Sequence, residues 1–67
     1  MNSKLFKSIM VLNDENLTHL ANGIGMCRQT LSLKIDGISD FKLSEIKKIC
    51  DRYQLTNDEI INVFFGG

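Results

Sequence analysis

Apolar positions recur at helical spacing along almost the whole chain, and no stretch alternates with period two over the length of a strand. Leu5, Phe6, Ile9, Met10 and Leu12 outline a first amphipathic helix, with Asn2 or Ser3 available as N-cap and Asn13-Asp14 as its stop. Asn16 can cap a short second helix whose inner face is Leu17, Leu20, Ala21 and Ile24. Gly25 stands where the chain leaving that helix needs positive φ. A third helix runs from about Arg28 to Ile35 with Leu31 and Ile35 turned inward, and Asp36-Gly37 closes it. After the loop ISDFK, anchored by Phe41, a fourth helix carries Leu43, Ile46, Ile49, Cys50 and Tyr53 on one face. Thr56-Asn57-Asp58-Glu59 fits a capping box, so a last helix starts there and brings Ile60, Ile61, Val63, Phe64 and Phe65 with it. The pattern predicts an all-α fold of five short helices in a single domain over residues 1–67, with the terminal Gly66-Gly67 frayed.

Composition narrows this picture. Sixty-seven residues, 43% of them hydrophobic, supply one small core, which speaks against an elaborate ligand pocket. No apolar run approaches the ~20 residues that span a bilayer, and residues 1–12 lack the continuous apolar centre of a signal peptide. The expected location is therefore the cytoplasm. Cys27 and Cys50 have no partner cysteines or histidines at ligand spacing, so neither a disulfide framework nor a zinc site is expected, and no cofactor is called for. Formal charge sums to zero, yet residues 1–48 carry +2 and residues 49–67 carry −2. That asymmetry matters for partners, because duplex DNA is held largely by neutralising its phosphates.

Leu17 to Gly37, LTHLANGIGMCRQTLSLKIDG, is the informative stretch. Two short helices joined by about three residues around a glycine pack closely where the first offers a small residue at the crossing, and Ala21 is placed for that. Leu17, Leu20, Ile24, Met26, Leu31 and Ile35 then share one interior, leaving Arg28, Gln29, Ser32 and Leu33 outside. This is a helix-turn-helix pattern over about residues 17–35. In such a motif the second helix lies in the major groove and presents its N-terminal residues to base edges. Arg can pair with two acceptors of guanine, Gln with the donor and acceptor of adenine, and Thr or an apolar side chain with the thymine methyl.

Leu20-Ala21, Gly25-Met26-Cys27 and Asp36-Gly37, followed by Phe41, Glu45-Ile46 and the closing Ile60…Phe64-Phe65, resemble the lambda-repressor and Cro-like helix-turn-helix family, in particular small phage and prophage regulators. The resemblance spans roughly residues 3–65. It implies sequence-specific binding of an operator in double-stranded DNA, with residues 28–35 as the recognition helix. Arg28, Gln29, Thr30, Ser32 and Leu33 then fall at base-reading positions, and Asn16, Thr18, Lys34 and Lys42 at phosphate-contacting ones. It also implies a homodimer, and the last helix, through Val63, Phe64 and Phe65, is the expected contact. Two positions depart from the family pattern. Leu17 replaces a Gln that often touches the DNA backbone, and Cys27 replaces the usual Ser or Thr cap, a change that costs about 0.5 to 2 kcal/mol in comparable helices.

Other readings stay open at this level. On spacing alone, Arg28, Gln29 and Lys34 also suit the solvated face of an amphipathic helix, and both terminal phenylalanines suit the core of a monomer. His19 reads as a surface residue without a catalytic partner. No nucleophile–base pair or phosphate-binding loop appears, so an enzyme is not expected. The rival function is a protein-interaction module on the same fold, such as an antirepressor or regulator partner; zero net charge and Leu17 point that way.

Overall fold

A computed structural model describes residues 1–66, and the expected fraying at Gly67 lies outside them. Its described residues form helices and connecting turns: α1 Ser3–Leu12, α2 Leu17–Ile24, α3 Arg28–Ile35, α4 Leu43–Tyr53 and α5 Asn57–Ile60, which continues as a π-helical turn over Ile61–Phe65. The helix starts follow the local side-chain chemistry. Asn2 Oδ1 accepts from the Leu5 N–H at 3.1 Å, and Asn16 Oδ1 from the His19 N–H at 2.8 Å. Thr56 and Glu59 exchange the two bonds of the capping box at 3.2 and 3.0 Å. Gly25 (φ 72) ends α2 and Gly37 (φ 80) follows α3, both in the left-handed region that glycine enters without strain.

Leu20, Leu31, Ile35, Ile49 and Val63 are the fully buried centre, ringed by Phe6, Ile9, Met10, Ala21, Ile24 and Tyr53. α2 lies against α3 and α4, and α1 against the π turn. These core residues come from α1 to α4 and from the π turn, and the Cα radius of gyration of 10.6 Å is close to the roughly 11 Å expected for this length. Phe6, Phe41 and Phe64 form a three-ring cluster with centroids 5.5 to 6.1 Å apart, which fastens the α3–α4 loop to α1 and the last turn. Each such ring pair contributes about 0.5 to 1.5 kcal/mol beyond its burial. The Asn2 N–H donates to the Val63 carbonyl at 2.8 Å, satisfying one of the acceptors that a helix leaves unpaired at its C-terminal end.

Three expected apolar positions are corrected. Leu12 is 78% exposed because it lies about a third of a turn away from Phe6 around α1. Leu43, the first residue of α4, is 81% exposed, ahead of the buried stretch that begins at Ile49. Cys50 is only half-buried; burial, with Asp51 beside it, pushes its thiol above the ordinary value. The last helix also departs from expectation by opening into a π turn, in which Val63 is buried, Phe64 half-buried and Phe65 70% exposed.

Candidate nucleic-acid interface

α2 and α3 have eight residues each and are joined by Gly25, Met26 and Cys27. Ala21 is buried at their contact beside Leu20, Ile24, Leu31 and Ile35, with Leu17 and Met26 packed at the margin. That interior orients the remaining side chains of α3. Arg28, Gln29 and Thr30 are exposed, Ser32 is half-exposed, and Leu33 lies at the edge of exposure. Arg28 and Gln29 make no side-chain hydrogen bond or ion pair among the described residues, and with Leu17 and Ser32 they border a shallow open depression. Cys27, at the N-cap, gives α3 no side-chain cap bond, as expected from the sequence. Thr18 is exposed on the first turn of α2, whereas the Oδ1 of Asn16 is engaged by His19 N–H, leaving its amide NH2 for any outside acceptor. Lys42, the N-cap residue of α4, is exposed.

Lys34 does not join this surface. Only 8% exposed, it points inward and its Nζ donates to Glu45 Oε1 at 2.5 Å. The expectation of a phosphate contact from Lys34 is therefore corrected: its charge is already neutralised inside the fold, on the same side of α3 as Leu31 and Ile35. The same Glu45 oxygen accepts the Lys42 N–H at 2.8 Å. Burial acts to raise the Glu45 carboxyl, but the bonds from Lys34 and the Lys42 backbone outweigh it and hold the group below its ordinary value. The C-terminal end of α3 is tied further by Ser3 Oγ, which donates to the Ile35 carbonyl at 2.5 Å, and by the exposed pair of Lys7 and Asp36 at 3.7 Å.

A third ion pair lies away from α3. Arg52 grips Glu15 with two bonds, Nε to Oε1 at 2.8 Å and Nη2 to Oε2 at 2.5 Å. The Arg52 bond draws the Glu15 carboxyl down to about 2 against the opposing effect of burial. Tyr53 Oη is buried with no hydrogen-bond partner, and burial reinforced by Glu15 pushes its ionisation up. The Arg52 guanidinium rests on Gly23, where a Cβ would run into it. None of the three ion pairs was anticipated from the sequence. Their partners lie on different elements, and helical spacing pairs residues only within one.

The expected dimer residues separate. Val63 is 0% exposed, so its side chain belongs to the core, correcting its assignment as a contact. Phe64 packs edge-on against Phe6 and Phe41, while Phe65 is exposed at the rim of a cleft of about 310 Å³ that Met1, Phe41, Ile46 and Phe64 also line. No group of three or more His, Cys, Asp or Glu side chains able to hold a metal occurs among the described residues, and none of their helices is long and apolar enough to cross a membrane. In comparisons with known proteins the chain matches no family model, no curated protein and no solved structure.

Proposed function

We propose that this chain is a helix-turn-helix regulator of the lambda-repressor and Cro type, which places α3 in the major groove of an operator. The carrying observation is the exposed N-terminal half of α3: Arg28, Gln29 and Thr30 fill no core, and Arg28 forms no ion pair among the described residues. Two adjacent donors of this kind suit a guanine followed by an adenine edge, and Leu33 suits a thymine methyl. Lys42 and the N-terminal turn of α2, through Thr18 and the Asn16 amide, meet phosphates. Exposed Phe65 supports pairing of two copies on two half-sites. Bound to DNA in this way, the protein acts by occlusion or recruitment at a promoter.

With Lys34 withdrawn, Lys42 is the cation that remains among the expected phosphate contacts, so affinity should fall with salt at a shallow log–log slope of about −1 per protomer. The test is retention of mixed genomic fragments over a salt titration. Selective retention with that slope supports the reading; no retention at low salt removes it. One observation favours the second reading, a protein-interaction module: an apolar groove of about 320 Å³ between α1 and α3, floored by Met10, Val11, Leu17 and Ile35. Retention of a protein partner without DNA selection would favour it.

A further inference from the structure

We infer that Glu45 is a positioning residue for the proposed DNA-reading surface, setting the base-facing side chains of α3 and the phosphate-facing Lys42 in one fixed arrangement. The inference rests on the DNA reading above and adds a residue that would touch no DNA. The two sets of contacts sit on different elements, joined by a loop in which Gly37, Ile38, Ser39 and Asp40 are all exposed. The Ile38 and Ser39 N–H groups donate to the Leu33 carbonyl and Phe41 packs on Phe6 and Phe64, which ties this loop to α3 and α1 yet leaves the gap between α3 and α4 open. Glu45 Oε1 closes it: a single oxygen takes the ammonium of Lys34, in the last turn of α3, at 2.5 Å, and the backbone N–H of Lys42, at the start of α4, at 2.8 Å. An apolar pair of similar volume would serve stability as well or better, because a buried ion pair must offset its desolvation. What the ion pair adds is direction and a fixed distance. It also withdraws a lysine from a chain with no net charge to spare, the opposite of what non-specific affinity alone would favour.

The experiment first enriches duplexes from a random-sequence pool with the wild-type protein. Affinities for the best duplex and for its scrambled version are then compared by fluorescence anisotropy, at a temperature where circular dichroism shows each variant folded. Glu45→Gln keeps an acceptor for the Lys42 N–H but loses the charge, and Lys34→Met removes the ammonium while keeping most of the stem. Each should lower the preference for the selected duplex about tenfold, the discrimination carried by one mis-set bidentate contact, with the scrambled affinity changed less than about twofold. The double variant should lose no more than either single one, since both act through one link. A lowered melting temperature with unchanged preference, or losses that add, overturns the role of Glu45 and leaves the DNA reading standing. Failure to enrich any duplex overturns both.

Discussion

At its C-terminal end α3 is held by Ser3 Oγ on the Ile35 carbonyl, by Lys34 on Glu45 and by Lys7 on Asp36, three polar contacts from α1 and α4 within one turn. At its N-terminal end Cys27 supplies no side-chain bond, and nothing is buried before Leu31. Both ends belong to one eight-residue helix, so the difference comes from what surrounds them. The fastened end sets the axis of the helix; the open end leaves the first-turn N–H groups and the Arg28 and Gln29 side chains to an outside partner. A helix oriented from one end can present the other without burying it.

The sharpest way to break this contrast is Lys34→Ala, which strands Glu45 half-buried without its cation. Unfolding in urea should show a loss of about 3 kcal/mol, the lower range for an ion pair broken on one side. Ser3→Ala at the same end should cost roughly 1 to 1.5 kcal/mol in the same assay, the net worth of one hydrogen bond. At the open end the sign reverses: Cys27→Ser supplies the missing cap and should stabilise by about 0.5 to 1 kcal/mol. A loss there would mean that the first turn already has a partner.

Of the two ends of α3, acid should act on the fastened one. Glu45 is held below its ordinary value, so its contribution is present above the unfolded carboxyl value and is lost as pH falls. Glu15 behaves alike, with its share draining between 4.5 and about 2. Urea midpoints followed over that range should drop for the wild type. They should flatten partly in Glu45→Gln and partly in Glu15→Gln, whereas Cys27→Ser should run parallel to the wild type; a parallel Glu45→Gln curve would remove acid sensitivity from this end of α3.

The bounds of α3 were legible because their signals are local: Gly25 before it, Asp36-Gly37 after it and Leu31 and Ile35 within it concern neighbouring residues only. The caps at Asn2, Asn16 and Thr56 were legible for the same reason, each acting across three residues. The inward turn of Lys34 has a signal in the sequence too. Positions 31, 34 and 35 form one helical face by spacing, and the charge of Lys34 drew the reading outward against that period. What the spacing could not supply was the compensating carboxylate, since Glu45 belongs to another helix and only the folded chain brings it within reach. Val63 lies buried in the π turn, a local geometry for which the sequence carries no cap or glycine signal.

Gly23 beneath the Arg52 guanidinium has a consequence for how this sequence can change. Alanine in a helix is worth about 1 kcal/mol more than glycine, so position 23 holds an unused gain. Part of it is offset while Arg52 lies there gripping Glu15, because the guanidinium must shift to admit a Cβ. Gly23→Ala should therefore yield the full propensity gain in an Arg52→Ala background and visibly less in the wild type, as thermal melts of the four-member cycle would show. The order of substitutions decides their value: the alanine at position 23 gains more once the guanidinium at position 52 is gone than while it is held against the helix by Glu15.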